Sequence, residues 1–177
     1  MKRLTLFLII LCLFISCRES NPDSIFYTEV DAPNEIVERA YKFAELYKNS
    51  DTKYKYGGQD AVRSIYIDCS GLVIMCYKYA LVDTKYSLLE SDMTANYIFK
   101  NASTKAEKEN LRQGDLIFMG ELNSSEVTHI AIFNKIENEQ IYFIDSTQKD
   151  DIDGVTERSY SINDKRFKSF GIMRIKY

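Results

Sequence analysis

Asp68-Cys69-Ser70-Gly71-Leu72-Val73-Ile74-Met75-Cys76-Tyr77 is the stretch on which the fold turns. An aspartate able to cap stands before a cysteine, and an apolar run suited to a buried helix continues to Ala80. A cysteine in the first turn of a helix faces unpaired backbone N–H groups and the positive end of the helix dipole, and both favour its thiolate. The same N–H groups can donate to an oxyanion during acyl transfer. Gly71 lets another backbone come close, as a substrate groove would need. On these residues alone, a capping Asp68 with a merely buried Cys69 is also a complete account.

The rest of the chain narrows the choice. A cysteine nucleophile needs a base or cation to hold it as thiolate at neutral pH. The chain has one histidine, His129, so any Cys–His pair must use it. It lies in Val127-Thr128-His129-Ile130-Ala131-Ile132-Phe133, which reads as a half-buried strand. A cysteine hydrolase follows if both readings hold.

Elements are expected in the order helices, then strands. Asn34 can cap a helix whose apolar positions Ile36, Val37, Ala40, Phe43, Ala44 and Tyr47 recur at helical spacing. Gly57-Gly58 interrupts the chain, a second helix opens near Cys69, and a third is expected over Leu88 to Phe99. After a turn at Gln113-Gly114 come strands over 116–119, 127–133 and 141–144, with weaker ones near 155–160 and 170–177. This order predicts an α+β fold, an antiparallel sheet with helices against one face.

The N-terminus predicts export. Lys2 and Arg3 precede an apolar or neutral run, Leu4 to Ile15, too short to span a bilayer comfortably and suited to a signal-peptide core. The run ends at Phe14-Ile15-Ser16-Cys17, which resembles the lipobox of bacterial lipoproteins, with Phe14 in place of the more usual leucine. The resemblance implies a signal peptide over 1–16, lipidation of Cys17, a polar tether over 17–34 and a catalytic domain over 35–177. The location implied is the bacterial cell envelope, with the protein lipid-anchored to a membrane. The alternatives are an ordinary secretory signal in which Cys17 is incidental and a cytoplasmic protein with an apolar first helix.

Composition removes other classes. Of four cysteines, Cys12 would leave with the signal peptide and Cys17 would carry lipid. Cys69 and Cys76, seven apart on one helix, are separated by about 10 Å along the axis, beyond the roughly 7 Å between Cα atoms that a disulfide spans. No disulfide is expected, and Cys76 reads as packing. One histidine and no Cys-x-x-Cys pair leave too few ligands for structural zinc, so no metal is expected. Net charge is −3 with both signs interspersed, without the basic patch that nucleic acid requires.

Four blocks carry a family resemblance: Tyr54-Lys55-Tyr56-Gly57-Gly58, Asp68-Cys69-Ser70-Gly71-Leu72, Leu111 to Phe118 around Gly114-Asp115, and Val127 to Ile132. In order and spacing they resemble the NlpC family of cell-wall cysteine peptidases. The resemblance implies a papain-like α+β fold with Cys69 as nucleophile and His129 as base. The family's third polar residue falls in a segment resembling Phe-Ile-His-Ala, here Phe143-Ile144-Asp145-Ser146. Asp145 therefore takes a place more often held by histidine. It can accept the Nδ1–H of His129 and stabilise the imidazolium; if it is only a turn residue, Ser146 is the next candidate. Tyr54 matches the tyrosine near the nucleophile, and Asp68 and Ser70 match positions that contact the free amine of a trimmed peptide stem. The implied substrates are peptidoglycan or muropeptides, cut at a bond between D-glutamate and diaminopimelate or lysine through a thioester. No cofactor is implied, and a monomer is expected. An amidase or thioesterase on the same Cys–His fold, a non-catalytic wall-binding lipoprotein and a toxin-like hydrolase are the alternatives.

Overall fold

A computed structural model of the chain describes residues 27–60, 66–149 and 151–177. The expected signal peptide and Cys17 lie outside the described residues. In chain order the elements are β1 (Glu29–Asp31), α1 (Asn34–Lys48), β2 (Lys53–Tyr54), β3 (Gln59–Asp60), β4 (Tyr66–Ile67), α2 (Cys69–Ala80), β5 (Ser87–Leu88), α3 (Ala95–Asn101), β6 (Ser103–Ala106), a 3-10 turn at Lys108–Asn110, β7 (Leu116–Met119), β8 (His129–Glu137), β9 (Gln140–Lys149), β10 (Ile152–Ser161) and β11 (Phe167–Lys176). The fold is α+β, as expected. Its main sheet runs β1-β11-β7-β8-β9-β10, with β5 and β6 also paired to β11, and every pairing in it is antiparallel. A small second sheet, β2-β4-β3, stands beside the start of α2.

The two faces of the main sheet divide the core. Ile130, Ile132 and Ile144 face the helices and join a cluster with Leu72, Val73, Ile74 and Cys76 of α2 and Ile36, Val37 and Ala40 of α1. Alternate residues on the other face, Ala131, Phe133, Ile141 and Phe143, form a second cluster with Ile117 and Met119, on which Tyr160 and Phe167 pack. Every residue of α2 from Gly71 to Tyr77 is buried, as expected of a helix apolar all round and enclosed on all sides.

Three expectations need correction. Pro33, not Asn34, holds the N-cap position of α1; Asn34 is its first residue and instead accepts from Arg112 Nη1 at 2.5 Å. The helix expected over Leu88 to Phe99 is shorter and later. Ser87–Leu88 pairs with β11, and α3 begins only at Ala95, where the Thr94 hydroxyl accepts from Tyr97 N–H. Ser91 and Asp92 before it favour caps and turns over helix interiors. Finally, the tether expected over 17–34 ends inside the fold, because Glu29–Asp31 pairs with Arg174–Lys176 of β11.

Candidate active site

Asp68 builds the start of α2. Its Oδ1 accepts from Gly71 N–H at 2.6 Å and from the Ser70 hydroxyl at 3.0 Å, and its Oδ2 accepts from Gly57 N–H at 2.8 Å. The Asp68 N–H donates to Gly58 O at 3.0 Å. One carboxylate thus caps the helix and fixes the 54–58 loop against it, which holds Tyr54 and Cys69 on one cleft. Gly71 was expected to admit a substrate's backbone. The backbone that approaches it is the chain's own: a Cβ at 71 would collide with Gly58 O.

His129 begins β8 on the opposite wall, and the β8–β9 register decides what it meets. The strands are joined by Asn138-Glu139, both at positive φ (50° and 58°), in the two-residue hairpin manner. Pairing starts with Glu137 opposite Gln140 and slips by one between Phe133 and Lys135, leaving Asn134 as a bulge. Gln113 Nε2 donates to Asn134 Oδ1 at 2.8 Å, and Asn134 Nδ2 donates to Glu157 Oε1 at 2.9 Å. A one-residue slip exchanges the faces of every residue beyond it. The bulge therefore puts His129 on the same face as Asp145; without it the imidazole would turn toward the helices.

Asp145 is fully buried, and its Oδ2 lies 2.5 Å from His129 Nε2. The contact is through Nε2, not the Nδ1 expected from sequence. Nδ1 is left free of Asp145, and the imidazole shares one cleft with Cys69, close enough for the two to act on each other electrostatically. Burial pushes the His129 pKa down, but the hydrogen bond to Asp145 and the charges of Cys69 and Asp145 outweigh it and raise the pKa to about 9.

Sequence reasoning missed one partner. Arg158 of β10 donates from Nε to Asp145 Oδ1 at 3.1 Å and from Nη2 to Oδ2, while its Nη1 donates to the Tyr160 hydroxyl at 2.8 Å. The available signal was the alternation of β10. Thr156 lies opposite Asp145 and Arg158 opposite Phe143, so Arg158 shares the face of Asp145.

Other residues fall outside the site. Ser146 is buried on the other face of β9, and its hydroxyl donates to Ile67 O at 2.7 Å, so it is not available to His129. Cys76 is fully buried, and burial pushes its thiol well up; neither it nor Cys69 is in a disulfide. Asp115 is buried and accepts from the Arg112 backbone N–H and guanidinium, which makes the Gly114-Asp115 turn structural. Among the described residues, no three of His, Cys, Asp or Glu gather to hold a metal ion.

Between the walls is a cleft of about 360 Å³ lined by Tyr54, Asp68, Cys69, Ser70 and His129, with Asp92 to Asn96 along one side. Burial, and then the charges of Cys69 and Asp68, raise the pKa of Tyr54, so its hydroxyl remains protonated and able to donate.

Among solved structures, the chain resembles a Staphylococcus aureus protein described as similar to lipoprotein, of the NLP/P60 family. Identity is 25% and the TM-score 0.53, over 81% of this chain and 43% of that one. NlpC1 from Trichomonas vaginalis is 20% identical with a TM-score of 0.55, over 82% of this chain and 46% of that one; NlpC2 from the same organism is 20% identical with a TM-score of 0.54, over 82% and 48%. The chain spans less than half the length of each. No curated protein matches it. The NlpC/P60 family matches residues 51–169, a span that runs from the loop before Tyr54 through Cys69, His129, Asp145 and Arg158. With most of its length matched and its helices and antiparallel sheet arranged in the papain-like manner of these neighbours, the chain belongs to the NlpC/P60 family.

Proposed function

We propose that this chain is a cysteine peptidase of the bacterial cell envelope, held to a membrane by lipid on Cys17, that hydrolyses peptidoglycan stem peptides. Family membership supports a cell-wall peptidase or amidase. The observation that carries the reading is the position of His129, which sets Nε2 on Asp145 and lines one cleft with Cys69.

The geometry suits acyl transfer. Nδ1 takes the Cys69 proton, and the thiolate attacks the scissile carbonyl. N–H groups in the first turn of α2 and the Tyr54 hydroxyl stabilise the oxyanion. As the C–N bond breaks, the imidazolium gives its proton to the leaving amine, and a thioester remains. Water, deprotonated by His129, then hydrolyses the thioester and restores the thiol. Asp145 holds the Nε2–H tautomer and stabilises the imidazolium. On the acyl side, Asp68 has three donors on its four lone-pair sites. One site on Oδ2 remains for a substrate ammonium, with Ser70 beside it. The bond cut is that between D-glutamate and diaminopimelate or lysine.

Incubation with defined muropeptides and mass analysis of the products tests this. Products summing to substrate plus one water, absent with Cys69→Ala, are expected; no cleavage by the folded wild-type protein overturns the reading. For the anchor, Cys17→Ser abolishes incorporation of labelled lipid and leaves the domain folded. A mature protein retaining Met1, or cleaved elsewhere without lipid, overturns that part.

A further inference from the structure

His129 and Thr128 belong to two cavities. One is the Cys69 cleft, whose charged lining is acidic: Asp68 and Asp92, with no lysine or arginine. The other, about 230 Å³, lies against the Asp145 face of the sheet and is lined by Lys149, Arg158 and Arg166, with Glu121 its one acid. The lining side chains thus change from acidic to mostly basic across His129, with Arg158 and Arg166 each also paired to an aspartate and Lys149 beside them. Arg166 is fixed in place: its Nε and Nη2 donate to Asp164 at 2.9 and 2.7 Å, and its guanidinium lies over the Tyr160 ring, 3.4 Å from the centroid. Arg158 is equally fixed by Asp145 and Tyr160.

From this we infer that the second cavity is a leaving-side subsite for a carboxylate. The inference rests on the hydrolase reading. His129 protonates the leaving nitrogen, so the leaving half of the substrate must lie on the histidine side of the nucleophile, next to this cavity. Two planar guanidiniums held by their own partners, with a lysine beside them, suit a carboxylate and disfavour its neutral amide. Selectivity comes from the contrast between the walls: an ammonium on the acyl half meets Asp68 and Asp92, and a carboxylate on the leaving half meets Lys149 and Arg166.

The test compares L-Ala-γ-D-Glu-L-Lys bearing a free C-terminal carboxylate with the same peptide as its C-terminal carboxamide. The wild-type protein should favour the acid in kcat/KM by about tenfold or more, mainly through KM. Lys149→Gln and Arg166→Gln should each pull the acid-to-amide ratio toward one. Binding of both peptides to Cys69→Ala, measured by calorimetry with and without Lys149→Gln, reads the same preference without turnover. A ratio near one in the wild-type protein, or equal losses on both peptides in the variants, overturns the subsite. If neither peptide is cleaved by folded protein, the hydrolase reading fails for this bond. The binding ratio then decides the subsite separately: preference for the acid, lost with Lys149→Gln, supports it, and equal binding overturns it.

Discussion

Arg158 grips the carboxylate of Asp145 with two nitrogens, and the oxygen that takes Nη2 is the one that lies 2.5 Å from His129 Nε2. A buried carboxylate is costly without a partner, and this one faces a cation on each side when His129 is protonated. The pair Asp145–Arg158 carries no net charge, like the neutral histidine more usual in the family resemblance. The departure at 145 is thus matched by a second residue thirteen positions along the chain and one strand away.

Arg158→Met should therefore strand a buried carboxylate. Breaking a buried pair from one side costs roughly 3–5 kcal/mol, so Tm should fall by several degrees and kcat with it. Asp145→His alone sets an imidazole against the Arg158 guanidinium and should be poorly active. The double variant Asp145→His/Arg158→Met should recover kcat by about tenfold or more over the Asp145→His single variant. A wild-type Tm and kcat in Arg158→Met would show that the ion pair does not position Asp145.

The raised pKa of His129 sets a pH dependence. Its folded value of about 9 lies above the ordinary 6.5. The stability it contributes is fully present below about pH 6.5 and is lost as pH rises through about 9. Denaturant unfolding near pH 6 and near pH 10 should show a larger loss for the wild-type protein than for His129→Gln. The pH profile of kcat/KM should have an alkaline limb near 9, where the imidazolium that protonates the leaving amine disappears. In Asp145→Asn/Arg158→Met, which removes the carboxylate without stranding the guanidinium, that limb should move to lower pH. An unmoved limb would mean that Asp145 does not stabilise the imidazolium.

Cys69, His129 and Asp145 were legible because each sits in a local pattern. The capping Asp68 precedes an apolar run, His129 opens an apolar strand, and Asp145 falls where Phe143-Ile144-Asp145-Ser146 resembles the family segment. What was not legible depends on pairing. The bulge at Asn134 has no residue signature, yet it decides which face His129 takes. Arg158 is an ordinary charged residue in a weak strand until the β9–β10 register sets it beside Asp145. The strands 53–54, 59–60 and 66–67 are two residues each, too short for any period to show, and exist because Asp68 and Gly58 hold their chain segments together. The choice of Nε2 over Nδ1 is likewise a matter of where two strands place a ring.

Ser146 makes a separate prediction. Its hydroxyl is the buried link between β9 and Ile67, the residue just before the capping Asp68. Ser146→Ala removes the donor and leaves Ile67 O buried without it, at a cost of about 1–3 kcal/mol. Because this bond ties the histidine wall to the cysteine wall, kcat should fall more than KM rises, and Ser146→Thr should restore part of the loss. If Ser146→Ala keeps both Tm and kcat, the two walls are held in register by packing alone.

The two helix cysteines should differ sharply toward a thiol reagent. Cys69 is half-buried on the cleft beside His129, whereas Cys76 is fully enclosed and burial pushes its thiol well up. Only a thiolate reacts, and only where the reagent can reach it. Iodoacetamide at neutral pH, followed by peptide mass mapping, should modify Cys69 and spare Cys76 in the folded protein. Cys69→Ser should remove that label without transferring it to Cys76. His129→Ala should slow the labelling of Cys69, because the thiolate loses the imidazolium beside it. Cys76→Ala should cost about 1 kcal/mol in stability for the small void it leaves and keep kcat within about twofold. Rapid modification of Cys76 in protein that remains folded, or labelling of Cys69 indifferent to His129→Ala, would remove the basis for assigning Cys69 as the activated nucleophile.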